Sequence, residues 1–190
     1  MTAGGDSVHL DIIHEFKHKK TIIIGEVNTG KTAYLGKILR RFLDANESDM
    51  ALIDMGPEPV KGIGGKMDIS AIAEVGYYTT KICAPRLMGK TEDEVETLAR
   101  GNAKAIDEIF EHYLEGPRKI LFINDVSLYL QAGDVQALLS FLKITPTVIM
   151  NGYYGHSLGG GPLGNRERRQ MKILQERCDS VITMGGTLLC

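Results

Sequence analysis

The sequence is short of cysteines and of long apolar runs, and each shortage excludes a class of protein. Its three cysteines lie far apart among 190 residues. Without a Cys-x-x-Cys pair they indicate neither a disulfide framework nor a zinc knuckle. No apolar stretch approaches the roughly 18–20 residues that span a bilayer, and no basic start precedes an apolar segment at the N-terminus. We therefore expect no membrane segment, no secretion signal and a cytoplasmic location.

An excess of charge of one sign is also missing. Lys and Arg number 22 against 24 Asp and Glu, which gives a formal net charge of −2. A field this weak does not draw the whole protein to nucleic acid or to an anionic membrane, although a local basic site is compatible with it. Glycine, in contrast, is abundant at 22 residues, and much of it falls outside the periodic segments.

Short apolar runs alternate with helical periodicities along the chain, which is typical of the α/β class with a mainly parallel sheet. The clearest helix begins after Thr91, whose spacing to Glu94 is that of a capping box. The predicted strands are 21–24, 51–53, 77–84, 120–123, 147–150 and 181–183, and the predicted helices are 31–43, 91–114, 134–142 and 165–177.

The breaks between these segments define the domain organisation. Clusters of glycine and proline predict loops at 55–66 and 152–164, which we expect to face a substrate or to act as a lid. Residues 1–7 are expected to be mobile. No linker divides the chain, so residues 1–190 are interpreted as one domain.

The segment between the first strand and the first helix carries the strongest motif. It reads Gly25-Glu26-Val27-Asn28-Thr29-Gly30-Lys31-Thr32, a phosphate loop in the strand-then-helix context that this motif requires. Successive backbone N–H groups and the helix N-terminus attract an anion. Lys31 adds a mobile positive charge, and Thr32 offers a hydroxyl to Mg²⁺. We predict a three-layer P-loop NTPase fold in which Gly25 to Ala33 bind a nucleoside triphosphate with Mg²⁺.

Two acids at the ends of predicted strands are candidates to complete the site. Mg²⁺ needs an oxygen ligand beyond Thr32, usually an acid at the tip of a buried strand. Asp125 is the better metal candidate, directly or through water, and capping of a turn is its structural alternative. Asp54 is a second metal candidate and a candidate general base, and an Asx turn is its alternative.

A basic cluster follows the glycine-rich segment 155–164 and consists of Arg166, Arg168 and Arg169. Arginines on a mobile loop can close over phosphates and neutralise charge that develops in the transition state. The alternative is a solvated helix face, which Glu167 within the cluster favours. Arg86 and Lys90 are weaker candidates for the same catalytic role.

Several short segments resemble the polynucleotide 5′-hydroxyl kinases of RNA processing. Beyond the phosphate loop they are Ile53-Asp54-Met55-Gly56-Pro57-Glu58, Gly64-Gly65, Gly89-Lys90-Thr91, Ile123-Asn124-Asp125 and Gly159-Gly160-Gly161. The resemblance spans roughly residues 20–170 and implies ATP-dependent phosphorylation of a hydroxyl on an RNA or DNA end or a small molecule. It would assign Lys31 and Thr32 to the nucleotide, Asp54 to the acceptor and metal water, and the cluster arginines to the γ-phosphate.

A second set of segments is similar to P-loop corrinoid adenosyltransferases, which would imply adenosyl transfer instead. It comprises the helix 91–114, Asn124-Asp125, the strand 147–150 with Asn151-Gly152, and Cys178-Asp179-Ser180-Val181. An NTPase switch and a non-catalytic nucleotide-binding module of a complex are further alternatives. The guanine-reading string Asn-Lys-x-Asp is absent, so ATP is favoured, with GTP as the alternative. An oligomer is compatible with the sequence.

Overall fold

A computed structural model describes residues 13–68, 70 and 74–185; the segment 1–7, for which mobility is expected, lies outside them. Its sheet has six strands in the order β3-β2-β4-β5-β1-β6, and every neighbouring pair is parallel. The strands are β1 (Lys20–Gly25), β2 (Met50–Asp54), β3 (Gly76–Thr79), β4 (Ile120–Asn124), β5 (Thr147–Tyr153) and β6 (Ser180–Met184). The predicted α/β class and parallel sheet are therefore confirmed.

Helices cover both faces of this sheet and complete three layers. They are α1 (Lys31–Asp44), α2 (Pro85–Met88), α3 (Glu92–Leu114), α4 (Ser127–Leu130), α5 (Val135–Leu142) and α6 (Gly161–Gln175). In the described part of the chain, none of them combines the length and the apolar character needed to cross a membrane.

The strands point alternate side chains into two separate apolar layers. Ile23 of β1 and Phe122 of β4 pack on one face against α1. The rings of Phe42 on α1 and Phe122 lie edge to face, with their centres 5.6 Å apart. Ile22 and Ile123 point to the opposite face, where α3, α4, α5 and α6 pack. Full burial of a side chain of this size stabilises the fold by about 1.5–3 kcal/mol, so the alternation fixes which face each helix covers.

Because all six strands are parallel, their carboxyl ends meet at one edge of the sheet. Gly25 pairs in register with Tyr153, and Asp54 pairs with Asn124. Loops that leave this edge therefore lie close together although they are distant in sequence. In open α/β sheets this edge is the usual place for a ligand site.

Two predicted segments, one strand and one loop, have wrong bounds. The predicted strand 77–84 ends at Thr79, because the backbone N–H and carbonyl of Cys83 bond to the side chain of Asn102 on α3 instead of to a strand. The predicted loop 152–164 spans only 154–160, since α6 begins at Gly161. Proline next to this glycine suits the first turn of a helix, where its missing N–H has no partner in any case.

Candidate phosphate-binding cleft

The phosphate loop joins β1 to α1 at the carboxyl edge of the sheet. Asn28 and Gly30 have left-handed backbones, with φ of 57° and 82°. At Gly25 a Cβ would lie 2.6 Å from the carbonyl oxygen of Met184, so the approach of β6 requires glycine there. No side chain caps the N-terminus of α1. Its first N–H groups are therefore directed toward the loop, as an anion site requires.

Lys31 folds its side chain over this loop. Its Nζ donates to the carbonyl oxygen of Glu26 and, at 3.3 Å, to the hydroxyl of Thr29. Burial lowers the pKa of Lys31, and the charges of Asp125 and Glu26 raise it. The ammonium is partly buried, and its two hydrogen-bond acceptors among the described residues are neutral. A phosphate oxygen would be a stronger acceptor for it than either group.

Two asparagines of neighbouring strands, Asn124 and Asn151, contact the Thr32 hydroxyl. This hydroxyl donates to Oδ1 of Asn124 at 3.1 Å, and Nδ2 of Asn151 donates to the same oxygen at 3.1 Å. The other side of the Asn124 amide, Nδ2, donates to Oδ1 of Asp54 at 2.8 Å. The residue at the end of β4 that contacts Thr32 is therefore Asn124, whereas the sequence pattern indicated Asp125.

Asp54 is fully buried and both of its carboxylate oxygens are engaged. Besides Asn124, Oδ1 accepts from the N–H of Gly56 at 3.0 Å, while Oδ2 accepts from the N–H of Met67 at 2.7 Å and the hydroxyl of Tyr77 at 3.3 Å. Asp54 is not among the residues that line the cleft. The structure gives it a positioning contact with Asn124, and its roles as general base and metal ligand stay predictions.

The loop forms one side of a cleft of about 260 Å³. Lys31 and Asp125 line it on the loop side. Arg86 of α2, Gln131 at the end of α4 and Glu167 of α6 also line it. The apolar part of the wall includes Pro57, Ile63, Pro85, Leu87, Leu128 and Leu158. A concave apolar space with a few convergent polar groups is the usual form of a small-molecule site.

Asp125 has a strained backbone, with φ of 60°, that turns the chain from β4 into the cleft. Its N–H donates to Oδ1 of Asn151 at 2.6 Å, and its Oδ1 accepts from the hydroxyl of Ser127 at 2.7 Å. Burial raises the pKa of Asp125, whereas the hydrogen bond from Ser127 and the charge of Lys31 lower it. The structure thus brings Asp125 and Lys31 to the same cleft, and the metal role of Asp125 stays a prediction.

The donor set at this point fits Mg²⁺. No cluster of three or more acidic, histidine or cysteine side chains that could hold a metal occurs within residues 13–68, 70 and 74–185. Mg²⁺ in phosphate sites usually takes one or two protein oxygens and completes its shell with phosphate and water. The Thr32 hydroxyl and the Asp125 carboxylate are oxygen donors of this kind.

Arg86 on α2 and Glu167 on α6 form an ion pair on the opposite side of the cleft. Glu167 is only 3% exposed, and its Oε1 accepts from Nε2 of Gln131 at 2.9 Å. The Arg86 guanidinium lies 5.7 Å from the ring centre of Tyr153. Burial raises the pKa of Glu167, and its contact with Arg86 lowers it.

Glu167 itself is therefore not on a solvated face of α6, although a solvated face stays an alternative for the neighbouring arginines. Glu167 lies on the buried side of α6, four residues after Leu163 and four before Met171. That spacing places it on the apolar stripe of the helix. The spacing of Glu167 from Leu163 and Met171 in the sequence is the pattern that predicts its burial.

Two of the three arginines of the basic cluster contact other parts of the protein. Arg166 donates to Oε1 of Glu96 at 2.9 Å, Arg168 donates to the carbonyl oxygen of Gly155 at 3.0 Å, and Arg169 is exposed. None of the three is among the described residues that line the cleft, whereas Arg86 is. Their role at the γ-phosphate stays a prediction that requires α6 to move.

Glu26 ties the phosphate loop to the segment 154–160, which we call the lid loop. Its Oε1 accepts from the N–H of His156 at 2.6 Å, and its Oε2 accepts from the N–H and hydroxyl of Ser157. The hydrogen bond from Ser157 lowers the pKa of Glu26 most, against a smaller upward effect of burial. At Gly155 a Cβ would meet the carboxylate of Glu26, so a larger residue there would require this side chain to move.

Replacing Glu26→Gln is expected to loosen the lid loop. A glutamine has one acceptor oxygen in place of two, so at least one donor of His156 or Ser157 loses its partner. We expect backbone amides of residues 155–158 to exchange about tenfold faster, which corresponds to one lost hydrogen bond. Hydrogen-exchange mass spectrometry measures this, with the exposed Glu108→Gln as control. If the amides of residues 155–158 exchange at the same rate in both variants, Glu26 does not hold the lid loop.

The parallel sheet, its helices on both faces and the glycine loop between β1 and α1 define a P-loop NTPase fold. No protein-family model matches the chain, and no curated protein matches it. Among solved structures, the chain is similar to the Pif1 helicase from Candida albicans, with a TM-score of 0.40 and 15% identity. The similarity covers 97% of this chain but only 39% of the helicase chain. At this level it assigns neither family nor activity, and the resemblances to polynucleotide kinases and corrinoid adenosyltransferases stay predictions.

Proposed function

We propose that the protein is a Mg²⁺-dependent phosphotransferase that binds ATP at the phosphate loop and passes its γ-phosphoryl group to a hydroxyl acceptor. The observation that carries this proposal is the two-sided cleft. Its loop side has the groups that hold phosphates, and its far side has the polar groups Arg86, Gln131 and Glu167. Hydrolysis needs room only for water, whereas a second set of polar groups across the cleft suits a second substrate.

On the loop side, backbone amides of residues 25–33 would bind the phosphates. Lys31 would leave the carbonyl oxygen of Glu26 for a phosphate oxygen, because a charged acceptor makes the stronger hydrogen bond. Thr32 would hold Mg²⁺, and phosphate oxygens and water would complete its shell. A bound Mg²⁺ would neutralise charge on the phosphates.

On the acceptor side, the hydroxyl oxygen forms a bond to the γ-phosphorus. The bond from that phosphorus to the oxygen bridging the β-phosphate breaks, and its electron pair leaves with the diphosphate. The hydroxyl proton passes to Asp125, which lines the cleft and whose pKa is raised by burial. A raised pKa makes the carboxylate a better proton acceptor. Asp54 is less suited, since four donors already engage its oxygens.

A transfer assay with γ-labelled ATP tests this proposal. The acceptors are RNA and DNA with 5′-hydroxyl ends and a set of small alcohols and hydroxy acids. We expect labelled product in at least one reaction. The variant Asp125→Asn should lower its rate about 100-fold or more, in the range of one lost proton acceptor, and leave ATP affinity within about threefold. The exposed Asp44→Asn is the matched control and should keep the full rate.

Each competing function has its own outcome in the same assay. Release of free phosphate without any labelled acceptor would refute the phosphotransferase and favour an NTPase switch. ATP binding without any turnover would favour a non-catalytic module. Release of the whole triphosphate in the presence of a corrinoid would favour adenosyl transfer.

The transfer rate is also expected to fall on the acid side. A protonated Asp125 cannot take the hydroxyl proton, and burial raises its pKa above that of an ordinary aspartate. The rate should therefore be at its maximum at neutral pH. As the pH is lowered, the rate should begin to fall at a higher pH than it would with a proton acceptor of ordinary aspartate pKa. The measurement is kcat across the acid range, with ATP affinity followed in parallel. A kcat that stays constant until the protein unfolds would exclude Asp125 as the proton acceptor.

A further inference from the structure

The side of the cleft away from the phosphate loop has further polar atoms. We call this side, formed by Pro85, Arg86, Leu128, Gln131 and Glu167, the acceptor wall. We propose that the acceptor wall binds a small hydroxy acid, whose single carboxylate or phosphate group contacts Arg86. This inference rests on the proposed function, because it names the chemical class of the hydroxyl acceptor.

Arg86 has hydrogen-bonding capacity that the protein does not satisfy. Its Nη2 donates to Oε2 of Glu167, whereas Nε and Nη1 are buried and have no hydrogen-bond partner among the described residues. Buried donors without partners are rare in folded proteins and cost free energy. If the side chain turns toward the cleft, which Arg86 lines, a ligand oxyanion would supply the missing acceptors. Guanidinium is the side-chain group best suited to carboxylate and phosphate.

Gln131 adds an acceptor of fixed orientation to the same wall. Its Nε2 donates to Glu167, which can only accept as the ionised partner of Arg86, so the amide oxygen points the other way. This Oε1 is buried and has no partner within the described residues. It therefore suits an O–H or N–H donor of a ligand. Donors from Arg86 beside an acceptor from Gln131 match a molecule that has both an acidic group and a hydroxyl.

The charge of the cleft favours a small molecule over a nucleic-acid end. Among the described residues, the charged ones that line it are the cations Lys31 and Arg86 and the acids Asp125 and Glu167. Lys31 is assigned to the nucleotide, so Arg86 remains for the acceptor. A polynucleotide presents one phosphate per nucleotide and is held by a row of cations. The neighbouring wall is apolar instead, with Pro85, Leu87 and Leu128 among its residues.

Binding of matched probe pairs to the nucleotide-free protein tests the acceptor wall. The pairs are 3-hydroxybutyrate with 1,3-butanediol, and glycerol 3-phosphate with glycerol, and the readout is the NMR resonance of the Arg86 Nε–H. We expect at least one acid to bind about tenfold tighter than its neutral partner, as a charge-assisted hydrogen bond provides, and to shift this resonance. Equal binding of acid and alcohol in both pairs would overturn the inference. The acid that binds more tightly than its neutral partner shows whether the group that contacts Arg86 is a carboxylate or a phosphate.

Two variants locate the bound acid. Arg86→Met combined with Glu167→Gln removes the ion pair as a unit and leaves no buried charge alone. It should bind acid and alcohol equally. If this double variant does not fold, Arg86→Lys keeps a cation beside Glu167 but loses the planar guanidinium, and its acid affinity should fall about tenfold. The exposed Arg177→Ala is the matched control and should bind like the unaltered protein.

The phosphate loop is the competing position for an acid, and Lys31→Met separates the two. Acid binding that is lost in Lys31→Met and retained in the double variant would overturn the inference. Acid binding that depends on Arg86, with no labelled product from any acceptor in the transfer assay, would support the acid site and refute the phosphotransferase.

Discussion

Replacing Asp54→Ala is expected to lower the free energy of unfolding by about 3–5 kcal/mol. The side chain is fully buried and accepts four hydrogen bonds. Alanine leaves four donors without an acceptor, namely the backbone N–H groups of Gly56 and Met67, the amide of Asn124 and the hydroxyl of Tyr77. Each buried donor without a partner costs about 1–3 kcal/mol, and water that enters the space restores part of the sum.

Urea denaturation of Asp54→Ala separates a positioning role from a catalytic one. The exposed Asp44→Ala is the control and should change the free energy of unfolding by less than about 0.5 kcal/mol. An Asp54→Ala variant that is as stable as the control but has lost phosphoryl transfer would contradict the positioning role. Asp54 would then be the general base that the sequence indicated.

Lys31→Met is expected to weaken binding of a Mg²⁺–triphosphate about 100-fold. The ammonium is partly buried, which lowers its pKa, and among the described residues it is the only cation of the phosphate loop that lines the cleft. Hydrogen bonds to charged groups contribute about 1.5–3 kcal/mol each, and 1.4 kcal/mol corresponds to a factor of ten. Methionine keeps the length of the side chain and removes its charge.

Titration calorimetry with Mg²⁺ and a non-hydrolysable ATP analogue measures this loss. Lys37→Met, an exposed lysine on the same helix, is the control and should keep the affinity within about twofold. If Lys31→Met and Lys37→Met bind the analogue equally well, the triphosphate is not held where the loop predicts.

The features that the sequence predicted well are local ones. The glycine string between a β-branched run and an amphipathic helix occupies the β1–α1 junction, where its own residues make the loop. The capping box behaves in the same way, since α3 begins at Glu92 and the Thr91 hydroxyl accepts from the N–H of Glu94 at 3.2 Å. In both cases the residues that decide the structure lie within one or two turns of each other.

The features that the sequence did not predict depend on strand order and helix packing. Asn124 contacts Thr32 across 92 positions, with Asn151 of the intervening β5 bonded to the same amide oxygen. Arg86 meets Glu167 across 81 positions because α2 and α6 face the same cleft. Neither contact produces a local sequence pattern. At the end of β4, the acidic Asp125 matched the expected Mg²⁺ ligand better than the neutral Asn124 before it.

The central claim is that the loop from Gly25 to Thr32 holds the phosphates of a nucleotide. A crystal structure of the protein with Mg²⁺ and a non-hydrolysable ATP analogue tests it most directly. We expect the β- and γ-phosphates within the loop and Nζ of Lys31 bonded to their oxygens in place of the Glu26 carbonyl. A loop without phosphate, with Lys31 still bonded to Glu26 and the nucleotide bound elsewhere, would contradict the claim.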